Sequence, residues 1–233
     1  MPVPALVISA GAASSNMTTV TTPGMDTTGA TVLIAAVASY DLSTVGTLSD
    51  TRSNTWTPLT ARATSSDPRI QLWYVAAPLV GSAHTATYAQ VTGTPPYPAL
   101  SVAAFRAVRP VAPLDGEVGR ARRGRRRRSS PAPSRRRNPG SPGDGAGLWH
   151  HGDAVGESGI HLIAPVAYLA GVNYGLGLAW SAPATLAAVN PTWTLNVTTT
   201  MAATLAAFKA AAGAPPLCIG PGVSGAGRPK GAS

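Results

Sequence analysis

This chain is poor in most of what reactive sites are made from. It has one cysteine, Cys218, so no intrachain disulfide can form and no thiolate metal site can be assembled. Its 233 residues hold nine acids and four histidines. His150, His151 and Asp153 stand close together. Neighbouring side chains seldom point at one ion, however, and no second cluster stands at ligand spacing, so neither a metal nor a cofactor is expected. Gly-x-Ser-x-Gly, the strand-turn-helix seat of many serine hydrolases, is absent. GPGVSG at 220–225 spells Gly-x-Gly-x-x-Gly, but it falls in a Pro/Gly-rich tail with no helix after it, so no phosphate cradle is expected. The nearest acidic pair, Asp115 and Glu117, is read on a turn with no sign of a cleft. These absences argue against an enzyme.

Long apolar runs are missing too. The longest, ATVLIAAVAS, is about half of what crosses a bilayer. The opening MPVPALVISAGAASS has no positively charged start and too short an apolar stretch for a secretory signal. A soluble protein with no membrane partner is expected; a virion protein would need no such signal.

Charge is scarce and unevenly placed. The formal net charge is +9, with 18 Lys and Arg against nine Asp and Glu. Ten of the 18 are Arg120, Arg122, Arg123, Arg125, Arg126, Arg127, Arg128, Arg135, Arg136 and Arg137. Without those ten, eight bases face nine acids, a net of −1. The basic character therefore belongs to one stretch, and no basic surface is implied for the rest.

What remains is rich in Thr, Val, Ala and Ile, arranged in short runs between turn residues. That spacing predicts a β-sandwich or barrel. Expected strands are 3–8, 17–22, 31–40, 55–62, 69–77, 84–91 and 98–107, then segments within IHLIAPVAY, NYGLGLAWS and PTWTLNVTT. In the second of these, Tyr174, Leu176, Leu178 and Trp180 share one face, with Gly175, Gly177 and Ala179 on the other. In the third, Trp193, Leu195 and Val197 share a face. Period-two alternation means one buried side, and the bulky side is read as core. Residues 201–212 have helical propensity. They also echo 99–108 (ATLAAFKAA against ALSVAAFRAV), which favours a strand. The expected fold class is all-β: a two-layer antiparallel sandwich, jelly-roll-like. One body is divided into 1–118 and 157–212, with a disordered basic segment at 119–156 and a flexible tail at 213–233.

The segment 119–154 contains only Leu148 and Trp149 as large apolar residues, too little for a buried strand. Three readings stay open. Clustered guanidinium groups neutralise phosphates, so the ten arginines could bind nucleic acid, though no aromatic residues are interleaved to stack bases. Blocks of like charge are also simply solvated, self-repelling loops. Finally, Arg, Pro, Gly, Ala and Ser are what GC-rich codons yield in any frame, so two compensating frameshifts would replace about two strands with such a segment. Translating the other two frames across this stretch separates the last reading from the others.

The stretches at 49–62, with its D-T-R-S-N-T-W-T run, at 69–89 and at 100–116, which ends in Pro-Leu-Asp-Gly, resemble segments of a largely uncharacterised family of β-sandwich proteins of phages and bacterial surfaces. SDTRSNTWTPLTAR (49–62) is similar to its D-x-x-G-N-T-W-T hairpin, with Ser53 in place of the glycine. RIQLWYVAAPLVGSAHTATYA, LSVAAFRAVRPVAPLDG, VNYGLGLAW and NPTWTLNVTTTMAATLAAFKAA resemble its other strands. The resemblance implies a jelly-roll-like structural protein and carries no catalytic residues. The expected role is a non-enzymatic structural or binding module that associates with itself or with other virion or surface proteins. A carbohydrate-binding module is the alternative. It would use exposed rings such as Trp56 and Trp73 as platforms, against the simpler reading that these rings pack in a core.

Overall fold

The computed structural model describes residues 3–14, 18–40, 46–64, 67–90, 97–122, 161–167, 174–182, 200–211 and 216–225. Every regular element among them is a β-strand, and the named strands pair antiparallel. The all-β sandwich expected from the sequence is therefore present.

A central sheet runs β1 (Ala5–Ala13), β9 (Ala99–Arg106), β3 (Val32–Ser39), β7 (Asp67–Ala76) and β5 (Thr57–Pro58), with β6 (Arg62–Thr64) also on β7. A second sheet runs β10 (Leu114–Arg122), β13 (Thr200–Phe208), β14 (Leu217–Gly225), β12 (Gly175–Ser181) and β11 (His161–Val166). A small sheet of β2 (Thr19–Thr21), β8 (Ala86–Ala89) and β4 (Thr47–Asp50) completes the set.

The central sheet is covered on both faces. Val32, Ile34, Ala36 and Ala38 of β3 pack with Leu176, Leu178, Ala206, Phe208 and Ile219 of the second sheet. Leu33, Ala35 and Val37, pointing the other way, pack with Val20, Leu48 and Tyr88 of the small sheet. All eight residues of β3 are buried. Its sequence, VLIAAVAS, lacks polar alternation for that reason, since a strand covered on both sides needs apolar residues at every position. The small sheet is thus an addition to the expected two layers.

The bulky face of β12 lies inward as expected: Tyr174, Leu176 and Leu178 are buried and Trp180 packs against the same core. Residues 200–208 form a strand, as the echo with 99–108 indicates. The two echoing strands finish side by side, bridged at Val108 and Ala210.

The sequence reading fails in other places. β4 lies where a Ser-Asp turn was expected, and 55–62 divides into the short β5 and the start of β6. The tail is not all tail: β14 occupies 217–225 between β13 and β12. Glycine and proline hid it. Pro221 cannot donate a ladder hydrogen bond. The register between β13 and β14 accordingly lapses between Ala203–Gly222 and Ala206–Ile219, while the pairing with β12 continues through Leu178–Pro221. Gly220 fills a need there, because a Cβ would sit 2.6 Å from the Thr204 carbonyl oxygen. The boundary at 119 also moves: β10 carries the fold through Gly119 to Arg122. The segment 191–199 lies outside the described residues.

The two large sheets are tied along both long sides. On one, the Glu117 carboxylate of β10 accepts the Thr60 N–H at 3.0 Å and its hydroxyl as well. On the other, the Ser101 hydroxyl of β9 donates to the Ala164 carbonyl of β11. That carbonyl also lies 2.8 Å from where a Cβ on Gly11 would be. The outer strands β1, β6, β10 and β11 each carry a register shift. Such irregularities blunt a sheet edge against pairing with another chain.

Candidate functional site

The densest polar structure among the described residues is built on Asp50, the last residue of β4. Its side chain is fully buried. Oδ1 accepts the backbone N–H groups of Arg52 (2.9 Å) and Asn54 (3.1 Å), an Asx-type turn that folds the following residues back. Oδ2 accepts the Asn54 amide (3.1 Å) and the Trp56 indole N–H (2.9 Å). This is the physical content of the D-x-x-S-N-T-W pattern: one carboxylate satisfies four donors of its own hairpin. Within it, Ser53 has φ +57°, the left-handed conformation that favours glycine.

The hairpin is then stapled to the loop after β7. The Leu79 N–H donates to Asn54 Oδ1 (2.7 Å), and Asn54 Nδ2 donates to the Leu79 carbonyl (3.0 Å). Arg52 Nη2 donates to the Ser82 carbonyl (2.6 Å). His84 closes the group. Its backbone bridges Met25, its Nδ1 lies 2.9 Å from Thr27 Oγ1, and its Nε2 lies 3.5 Å from Asp50 Oδ2. Thr27 Oγ1 also accepts the Gly81 N–H at 3.1 Å.

Asp50, His84 and Thr27 stand in the order of a proton relay. Burial gives them a different use: His84 is 1% exposed and Thr27 0%, so no substrate can reach the hydroxyl. The ring bridges Thr27 and Asp50 through its two nitrogens. The row holds three segments in place, 25–27, 50–56 and 79–84.

These segments belong to one end of the sandwich, where β3 begins and β7 and β9 finish. Thr31 ties that end across the sheet: its carbonyl accepts Ala77 N–H (3.2 Å) and its hydroxyl accepts Val108 N–H (3.1 Å). Further along, Arg109 N–H donates to the Lys209 carbonyl at 2.8 Å, and the Lys209 ammonium lies 3.8 Å from Asp115. Ala77, Ala83, Ala107 and Ala112 join Ser53 here at positive φ. Strained backbone of this kind persists only where surrounding structure over-determines it. The same end displays Val3, Leu79 and Val111, which are 51%, 63% and 68% exposed, and the exposed Arg106 and Arg109. Nearby Asp26 has its carboxyl held below the usual range by the Thr28 hydroxyl and backbone N–H. The arrangement can present apolar and cationic side chains from fixed loops. Among the described residues no group of acids, histidines and cysteine is placed to hold a metal ion.

The residues singled out from sequence fall elsewhere. Trp56 and Trp73 are 7% and 6% exposed, packed in the core beneath the small sheet. Neither offers a face to a sugar, which corrects their reading as platforms. Arg120 and Arg122 lie on the backbone of β10, opposite Ala203 and Met201 of β13. Arg123, Arg125, Arg126, Arg127, Arg128, Arg135, Arg136 and Arg137 lie outside the described residues, as do His150, His151 and Asp153. GPGVSG is extended chain within β14, not a turn. Cys218 is half-buried, and burial pushes its thiol pKa up. The sequence reading missed the polar group itself. Asp50 was read as a turn residue and Thr27 drew no notice, because His84, which joins them, lies 34 residues from one and 57 from the other and leaves no local pattern.

Comparison with known proteins adds no relative: no family model, curated protein or solved structure matches the chain.

Proposed function

We propose that this protein is a non-enzymatic structural or binding module of a virion or cell surface. It would work by associating with copies of itself or with other surface proteins. One observation carries the reading. The side chains best arranged for chemistry, Asp50, His84 and Thr27, are sealed, and the hydrogen bonds around them hold the loop that displays Leu79. Rigid loops lower the entropy lost on association. The bulged outer strands favour contact through this end over sheet extension.

Light scattering on the purified full chain tests the reading. A single defined oligomer, dissociated by Leu79→Asp, is expected. A strict monomer at high concentration that also captures no surface protein of its own virion or cell would sink it. Binding to nucleic acid through Arg120 to Arg137 is the second reading. It predicts affinity for DNA that falls steeply with salt and vanishes when that segment is deleted. Undiminished binding after deletion would exclude it.

A further inference from the structure

The loop end of the sandwich has a polarity across its layers. On the small-sheet side it shows Leu79 and Asp26, both exposed. The Thr28 N–H donates to Asp26 Oδ1 at 3.0 Å, which fixes the carboxylate at its loop tip. The next residue ties that tip to the loop after β7, as the Thr27 N–H donates to the Gly81 carbonyl at 3.1 Å. On the second-sheet side the end shows Arg109 and Val111. There the Arg109 N–H is held by the Lys209 carbonyl, just beyond β13, and Arg109, Pro110, Val111 and Ala112 are all exposed. Between the two sides lies the rim of the central sheet, where Thr31 bonds Ala77 and Val108. Two other cations here are already engaged: Lys209 lies 3.8 Å from Asp115, and Arg52 is turned to the Ser82 carbonyl. The Arg109 guanidinium pairs with no acid among the described residues.

Size and apolar content suit this end to a protein partner. The central sheet's path of five strands spans about 19 Å, and three stacked layers span about 20 Å. With side chains at the rims the end measures roughly 25 by 30 Å, about 750 Å². A standard interface takes about 800 Å² from each partner. Four large apolar side chains are exposed among the described residues, and three of them, Val3, Leu79 and Val111, stand at this end. The fourth, Val118, is alone on β10, one of the bulged outer strands.

Charge then selects the partner. A uniformly acidic surface would meet Asp26, and a uniformly basic one would meet Arg106 and Arg109. A patch with its acid on one layer and its guanidinium on another is complementary to itself. In a two-fold contact, residue i of one copy meets residue j of the other, and j meets i. Laying the small-sheet side of one copy on the second-sheet side of the other sets Asp26 against Arg109 twice, and Leu79 against Val111 twice. Like charges stay apart, because they never share a layer across the axis. The loops are held by hydrogen bonds before contact, so little further ordering is lost on docking.

We infer that a second copy of this chain docks on the loop end about a two-fold axis, with Asp26 of each copy paired to Arg109 of the other. This geometry rests on the assembly reading above and completes it. Sedimentation equilibrium of the full chain at low ionic strength tests it. Wild type is expected to form a dimer. Asp26→Arg and Arg109→Asp should each weaken the dimer at least about tenfold, because each side chain is met twice. The double variant should return to within about threefold of wild type, since the reversed pair attracts equally. Val118→Asp, on β10, should leave the dimer unchanged. Circular dichroism on each variant guards against unfolding. An oligomer indifferent to both single reversals, or a double variant no tighter than the singles, would overturn the two-fold geometry and leave the assembly reading standing. A monomer that captures a surface protein of its own virion or cell would do the same. A monomer that captures nothing would end both.

Discussion

The two faces of the central sheet are solved in different ways. Toward the second sheet the contact is almost wholly apolar, with Phe105, Phe208, Leu178, Leu217 and Ile219 fully buried and Tyr74 edge-on to Phe208 at 5.6 Å. Toward the small sheet, tryptophans and Tyr88 share the interior with Asp50, His84 and Thr27. Apolar burial is non-directional and stabilises wherever area is removed from water. A buried polar group is directional, and it costs free energy unless every partner is in place. One face therefore holds sheets together, and the other holds particular loops in particular positions. The strained alanines and the exposed side chains Leu79 and Arg106 lie at the end the second face controls.

Substitutions separate these roles. Phe208→Ala should have the largest effect, a loss of about 3–5 kcal/mol in urea unfolding, from lost apolar transfer plus the cavity left behind. A loss below about 1 kcal/mol would mean the two sheets are not packed as described. Asp50→Ala should cost about 2–4 kcal/mol, because it strands two backbone N–H groups, the Asn54 amide and the Trp56 indole. Its signature is local: amide exchange should accelerate in 50–56 and 79–84 well before it does in β12 and β13. Uniform acceleration across both regions would erase the distinction between the faces. Ser53→Gly should stabilise by about 0.5–1 kcal/mol, as relief of left-handed strain exceeds the added freedom of the unfolded chain. Destabilisation would show that the serine side chain has a use the hairpin geometry does not reveal.

The smallest effect concerns Cys218. Burial raises its folded pKa above the ordinary 9.0, so the thiol contributes stability that is complete below pH 9.0 and is lost as pH rises through the folded value. The urea midpoint should fall slightly more steeply above pH 9 in the wild type than in Cys218→Ser. Thiol labelling in the folded state should lag that of the unfolded chain at pH 8.5. Equal labelling rates would place Cys218 outside the second sheet.

Legibility in the sequence followed the kind of interaction. Alternation at Tyr174, Leu176 and Leu178 identified a strand and its buried face, because period two is imposed residue by residue. The unbroken run in β3 carried the signal of a sheet covered twice, although apolar runs of that length are ambiguous between strand and helix. β14 stayed hidden because its three glycines and its proline resemble a linker, and only the close approach of Thr204 explains Gly220. The D-x-x-S-N-T-W hairpin could be seen as a pattern, but not as a carboxylate with four donors. Trp56 and Trp73 carried no sign of whether their rings face water or core.

The amino-acid order by itself determined that the chain forms strands, which side of most strands is apolar, and that its positive charge is confined to one stretch. Those properties reside in single residues and their near neighbours. Only the tertiary structure decided that a third sheet covers the outer face, that Asp50 meets His84, and that Asp26 and Arg109 share one end of the sandwich. Such pairings depend on chain segments separated by tens of residues. Their closeness is set by how sheets stack, and no local preference encodes it.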